Sequence, residues 1–206
     1  MIGYGVHDVS RETSERLAAL AELTIKRPKS INLVSIRDLA EIETRHIADS
    51  LQVWQHKRDG NHWLDLGSGG GFPAIPLAVL SKEDAPEMRF TCIESDQRKC
   101  AFLRTAGREL ELNLNVVCSR IDDALPQNAD ILTARALAPL DVLLGFASKH
   151  LASQGLAMFP KGQTWQTEVE VARKVWRFDL ETHPSVTSPD ARILLCSELA
   201  RVDNTT

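Results

Sequence analysis

Between His62 and Ala74 the sequence reads His-Trp-Leu-Asp-Leu-Gly-Ser-Gly-Gly-Gly-Phe-Pro-Ala, a short apolar run that opens into four glycines. The run predicts a buried strand, and a helix is expected to start near Phe72 and Pro73, proline being suited to a first helical turn. Glycines at such a junction let the backbone turn tightly and approach a ligand with no side chain between, while the helix start offers free N–H donors. Asp65, Gly67, Ser68, Gly69 and Gly71 are therefore candidate contacts to a nucleotide-like ligand. Gly69 to Ala74 also satisfies the dinucleotide pattern GxGxx(G/A), so NAD has to be weighed. Counted from Gly67, however, that pattern would require glycine or alanine where Phe72 stands. Asp65 would also face a dianionic pyrophosphate unfavourably, whereas it suits a ligand carrying an ammonium and a sulfonium. S-adenosyl-L-methionine fits better than NAD. A second strand ends in Cys92-Ile93-Glu94, putting a carboxylate 27 residues beyond Gly67, close to the roughly 20-residue interval at which an acid reaches ribose hydroxyls. Glu94 is the candidate ribose ligand.

These residues need a scaffold, and from His62 onward short apolar runs alternate with helical segments: WLDL, then FPAIPLAVL; RFTCIE, then DQRKCAFLRTAGREL; NVVC; ADILTAR, then PLDVLLGFASKHL; and GLAMFP. That alternation predicts βαβ units, a mostly parallel sheet covered by helices on both faces. A further helix is expected around Glu168 to Val175, then strands near Trp176 to Thr182 and Arg192 to Arg201. Only the turn-rich PSVTSPDA separates these two, too little for a crossover helix, so an antiparallel hairpin at the sheet edge is expected. The fold class is thus α/β, the methyltransferase variant of the doubly wound, Rossmann-like fold. Ahead of it, Ser10 to Gln55 reads as two helical pieces separated by Pro28 to Asn32. The second opens on Asp38 with Glu41 three residues later, a capping-box pattern, and Leu39, Ile42, Ile47, Leu51 and Trp54 share one face. A single domain over 1–206 is expected, with a helical extension over 1–58 and an α/β core over 59–206.

Composition narrows the class further. Hydrophobic residues make up 43% and charged residues 25%, and no apolar run approaches the roughly 20 residues that span a bilayer. The N-terminus lacks the basic-then-apolar pattern of an export signal, so a cytoplasmic protein without membrane attachment is expected. Cys92, Cys100, Cys118 and Cys196 have no CxxC spacing, so neither a metal site nor a disulfide framework is indicated. A net charge of −4 argues against coating nucleic acid, but the basic residues cluster, as at Lys26, Arg27 and Lys29. RNA binding, if present, should be local.

At this level of detail the chain resembles the ribosomal RNA small-subunit methyltransferase G family, also known as glucose-inhibited division protein B. The resemblance covers roughly Leu17 to Val202. It rests on Ile31 to Arg37, on Arg45-His46-Ile47-Ala48-Asp49-Ser50, on Asp65 to Pro76 with its Gly-Phe-Pro continuation, on Arg98 to Arg104, on Ala134-Arg135-Ala136 and on Lys161-Gly162-Gln163. Many proteins share a glycine loop; the Arg-His-x-x-Asp-Ser helix and the late Lys-Gly-Gln in this order are far more specific. The resemblance implies a class I methyltransferase fold and methylation of guanine N7 in 16S rRNA. The substrate would lie within the small subunit or an assembly intermediate, and the enzyme would act as a monomer. It also implies cofactor contacts at Gly67, Phe72 and Glu94, with Ile121 and Asp122 flanking the adenine and Arg135 facing cofactor and substrate. Arg45, His46, Lys161, Lys26, Arg27 and Lys29 are the candidate substrate contacts. Ala74 stands where the family usually has glycine and Ser68 where it has threonine; both are small.

Guanine N7 carries an available lone pair, so methyl transfer needs in-line positioning more than an activating base. Consistently, the (N/D/S)-P-P-(Y/F) loop of amino-group methyltransferases is absent, Thr133-Ala134-Arg135-Ala136 taking its place, and no cysteine sits in a loop that would make it the thiolate of a C5 methyltransferase. A ring nitrogen acceptor is favoured. Arg135 follows an apolar strand at the sheet edge where ligands bind in such folds, and is the candidate catalytic residue. The alternatives are a small-molecule methyltransferase, a non-catalytic rRNA-associated binding protein and an NAD-linked oxidoreductase.

Overall fold

The computed structural model describes residues 2–3, 8–25 and 46–202. Strands β1 (Ile2–Gly3) and β2 (Asp8–Val9) form a small antiparallel pair ahead of α1 (Arg11–Ile25). Helix α2 (Ala48–Trp54) leads into β3 (His62–Leu66), α3 (Ala74–Asp84), β4 (Arg89–Glu94), α4 (Gln97–Glu109) and β5 (Leu114–Cys118). There follow β6 (Ala129–Ala134), α5 (Leu140–His150), β7 (Leu151–Lys161), α6 (Trp165–Ala172), β8 (Trp176–Pro184) and β9 (Arg192–Arg201). The Pro28–Asn32 break and the Asp38 helix start lie outside the described residues, but α1 and α2 fall within the two helical pieces expected there.

The main sheet has the order β5-β4-β3-β6-β7-β9-β8. All pairs from β5 to β7 are parallel, while β9 is antiparallel to both β7 and β8. The expected edge hairpin is present, with the later strand on the inside: β9 lies between β7 and β8. The helix expected over Glu168–Val175 runs instead over Trp165–Ala172, because Thr164 and the residues after Gly162 turn the chain earlier than its apolar spacing suggests.

Burial explains why these segments are strands. All five residues of β3 are buried, as a central parallel strand covered on both faces requires. Its side chains alternate: Trp63 joins an apolar layer with Leu17, Leu51, Ile75, Phe90 and Phe102, while Leu64 and Leu66 join Leu132, Leu144, Phe159 and Trp176 on the other face. On the first face Trp54, Trp63 and Phe90 stack, with successive centroids 5.6 Å apart. The Trp63 indole donates to Thr133 Oγ1 at 3.1 Å, which satisfies its one polar atom and aims the threonine. The chain leaves β3 toward β4 on one side and returns as β6 on the other, so the carboxyl ends of β3, β4 and β6 frame a topological switch point.

Candidate functional site

The glycine loop leaves β3 at that switch point. Gly67, Gly69 and Gly71 have φ of +61°, +53° and +88°, a region that side chains with a Cβ rarely adopt. Their surroundings differ. A Cβ on Gly71 would fall 2.4 Å from Ile75 Cδ1, and one on Gly67 would fall 2.6 Å from Leu137 Cδ1. A Cβ on Gly69 would meet nothing nearer than the Gly67 carbonyl oxygen at 3.7 Å. Gly71 therefore serves the packing of α3, whereas at Gly69 a Cβ would make only an ordinary contact. Backbone bonds hold the loop against β4, Gly67 N–H and Ser68 N–H donating to the Ile93 carbonyl at 2.8 and 3.3 Å, and Gly71 N–H closes a turn within it by donating to the Ser68 carbonyl at 2.7 Å. Ser68, buried, donates its hydroxyl to the Asp65 carbonyl at 3.1 Å.

Asp65 ends up 1% exposed at the end of β3. Its Oδ1 accepts from Thr133 Oγ1 at 2.7 Å, while Oδ2 is buried with no hydrogen-bond partner. Burial pushes this carboxyl up to about 6, against the opposing pull of the Thr133 hydrogen bond and of the Arg135 charge. A buried carboxylate oxygen can only accept, so the missing group is a donor, and a cationic one would also relieve the charge penalty. An ammonium meets that need; a pyrophosphate would worsen it. The residues present thus fit S-adenosyl-L-methionine.

Glu94, also buried, accepts at Oε1 from Ser95 N–H and Asp96 N–H, both at 2.8 Å, and at Oε2 from Gly69 N–H at 2.9 Å. It therefore ties the loop to the second strand, and with about four acceptor positions on a carboxylate it keeps capacity for a hydroxyl. Ile121 and Asp122 lie on the loop leaving β5. Their carbonyls are held by His150 Nε2, at 3.1 Å, and by the Lys149 ammonium.

Arg135 follows β6 directly. Its Nη1 donates to Asp49 Oδ2 at 3.0 Å and its Nη2 lies 3.0 Å from His46 Nδ1. A guanidinium only donates, so Nδ1 is the acceptor and His46 is the neutral Nε2–H tautomer. The Arg135 Cζ lies 5.8 Å from the centre of the Phe72 ring, and the His46 and Phe72 ring centres are 5.3 Å apart. The segment carrying His46 and Asp49 thus closes over the end of the glycine loop.

Lys161 is placed otherwise. Its ammonium donates to the Ala138 carbonyl at 2.8 Å and pairs with Glu168 at 2.7 Å, with the side chain 10% exposed. Glu168 in turn accepts from the first N–H of α5, Leu140, at 3.0 Å. Lys161 is engaged in joining α5, β7 and α6 and is not presented to a docking polyanion. Lys26, Arg27, Lys29 and Arg45 lie outside the described residues.

The residue list drawn from sequence omitted several members of this cluster. Thr133 aims at Asp65, Leu137 covers Gly67, and Gln52 and Thr187 bind Asp49. Only Asp49 carried a signal, its place one turn after Arg45 beside His46. Thr133, Leu137 and Thr187 reach their partners from segments far apart in the chain, and Gln52, one turn after Asp49 on α2, gave no signal of its own.

Residues 13–194 match the family described as rRNA small subunit methyltransferase G. Curated relatives include the ribosomal RNA small subunit methyltransferase G of Ruegeria sp. (strain TM1040), 52% identical over 195 residues and covering 95% of both chains. That of Ruegeria pomeroyi is 49% identical, covering 95% of this chain and 96% of the relative. Among solved structures, M. jannaschii TYW2 in complex with AdoMet aligns with a TM-score of 0.56 at 15% identity, over 76% of each chain; at that identity the likeness concerns the fold.

Proposed function

Since the chain belongs to the rRNA small subunit methyltransferase G family, we propose that the carboxyl-edge site transfers a methyl group from S-adenosyl-L-methionine to N7 of a guanine in 16S ribosomal RNA. The observation that carries the cofactor assignment is the buried, unpartnered Asp65 Oδ2 beside an open glycine loop. Bound cofactor supplies an electrophilic methyl carbon on a sulfonium. Asp65 receives the ammonium end of that molecule, Glu94 a ribose hydroxyl, and Gly69 leaves room for both. Ile121 and Asp122, with their backbone held by α5, border the adenine.

No side chain is required to remove a proton from the acceptor, because N7 reacts through its own lone pair. The contribution of the protein is placement. Arg135 stands at the end of β6, permanently charged and therefore no base, and its planar fork can hold guanine O6 or a neighbouring phosphate so that N7 points at the methyl carbon. RNA docking falls to limited basic patches, with Lys26, Arg27, Lys29 and Arg45 as the charges and His46 as a further contact. This suits a structured target, the small subunit or an assembly intermediate, met in the cytoplasm by a monomer.

The test is transfer of labelled methyl from the cofactor to small subunits prepared from cells lacking this gene, followed by mapping of the modified base. Label on one guanine N7 of 16S rRNA is expected. Label on a small molecule of a metabolite extract, with none on RNA, would replace this reading by that of a small-molecule methyltransferase.

A further inference from the structure

Asp49 occupies an unusual position for a helix-surface acid: three stretches of chain converge on its carboxylate. Oδ2 accepts from Arg135 at 3.0 Å. Oδ1 accepts from Gln52 Nε2 at 2.6 Å and from Thr187 Oγ1 at 2.8 Å. Gln52 is 2% exposed and is itself clamped by the turn between β8 and β9. Its Oε1 accepts from Val186 N–H at 3.0 Å and its Nε2 lies 3.2 Å from Ser185 Oγ. The hydroxyls of Ser185 and Thr187 close the ring at 2.9 Å. Helix α2 is in turn fixed to the end of α3, with Trp54 Nε1 donating to Asp84 at 2.9 Å.

An arginine side chain left to itself samples many rotamers, and ordering it when substrate arrives costs binding free energy. Here the fork is ordered beforehand by two anchors, Asp49 and His46, and the residue that follows Arg135, Ala136, has φ +52°, so the backbone carrying the fork is itself in a restricted conformation. One anchor is aimed by residues of a hairpin turn that contributes no other group to the site. We infer that Asp49 is a positioning residue for methyl transfer: it acts through Arg135, and Gln52 and Thr187 hold its carboxylate, so that the β8–β9 turn sets the direction of the guanidinium. The inference rests on the reading that Arg135 orients the acceptor base.

The experiment measures single-turnover methylation of small subunits by Asp49→Asn, Thr187→Val, Arg135→Ala and the Asp49→Asn/Arg135→Ala double variant, together with adenosylhomocysteine affinity and thermal midpoint. Misplacing a positioned group by about an ångström costs on the order of 100-fold, so Asp49→Asn should lose about that much in kcat with cofactor affinity and KM nearly unchanged. Thr187→Val should lose several-fold, about 3- to 10-fold by the same reasoning, and Thr187→Ser, which keeps the hydroxyl, should restore it. The double variant should be no slower than Arg135→Ala alone, since two residues that act as one unit are not additive. Multiplied losses in the double variant would show that Asp49 acts independently and overturn the inference. So would near-normal turnover of both Asp49→Asn and Thr187→Val beside an inactive Arg135→Ala, with the Arg135 reading intact. Near-normal turnover of Arg135→Ala would overturn that reading and the inference with it.

Discussion

Replacing Asp65 by asparagine tests whether this carboxyl is held at the expense of stability for the sake of a cation. Burial raises it to about 6, against about 3.9 in an unfolded chain. Between those values the folded protein binds the proton that the unfolded chain has released, so stability falls as pH rises through that window. The penalty is about 1 kcal/mol near pH 4.5 and about 3 kcal/mol above pH 7. Asparagine keeps an acceptor for Thr133 but brings an amide N–H2 whose burial costs about 1 to 3 kcal/mol, a cost that does not titrate. The stability of Asp65→Asn relative to the parent should therefore improve by about 2 kcal/mol between pH 4.5 and pH 7.5, or about 4 to 8 °C in thermal midpoint. Cofactor binding should move the opposite way: the variant should lose it, while the parent should bind adenosylhomocysteine about tenfold more weakly at pH 5 than at pH 7, the charged fraction of Asp65 having fallen by that factor. Urea melts of both proteins at two pH values and calorimetric titrations answer the question. A stability difference that does not change with pH, or affinity unmoved in the parent from pH 7 to 5, would refute the reasoning.

Gly69→Val should abolish cofactor binding in a folded protein, read by calorimetry, whereas Gly71→Ala should destabilise by about 1 to 3 kcal/mol in urea melts, since its Cβ would fall onto Ile75 in a left-handed conformation. Arg135→Ala and Arg135→Lys should both lose about 30- to 1000-fold in turnover, the lysine keeping charge but not the fork; an active Arg135→Lys would reduce the role to charge alone. Lys161→Ala should lower stability by about 1 to 3 kcal/mol, leaving the Ala138 carbonyl and the Glu168 carboxylate, two acceptors, without the ammonium between them, with the salt dependence of RNA association unchanged. Charge reversal at Lys26, Arg27 and Lys29 together should do the converse, weakening association with small subunits while cofactor affinity stays intact.

The glycine loop was legible because its signal is local: an apolar run, glycines at fixed offsets and Pro73 at the helix start lie within a dozen residues. The acid ending β4 was legible for the same reason, one strand and one helix downstream. Lys161 shows where such reading stops. In sequence it is a lone cation beside glycine, a pattern that suits solvent or a phosphate, and nothing local announces that Ala138 and Glu168 will enclose it. The same holds for Thr187 and Gln52, 135 residues apart in the chain and brought together at Asp49 and Ser185. The hairpin was foreseen from the short turn between two apolar runs, but its insertion with β9 inside was not, because strand spacing fixes pairing between neighbours and is silent on which of the two meets β7.

That insertion has a consequence for how the chain is made. Strand β8 emerges from synthesis before β9 yet has β9 as its sheet neighbour, and β7 likewise awaits β9 on its outer side. Until Arg192–Arg201 is available, two unpaired strand edges coexist, the condition under which nascent chains pair with one another. The final described strand is thus the keystone of its half of the sheet. Because the turn it shares with β8 also reaches Asp49, a polypeptide stopped before β9 would lack both the closed half of the sheet and the strand that seats the Thr187 contact to the Asp49–Arg135 pair.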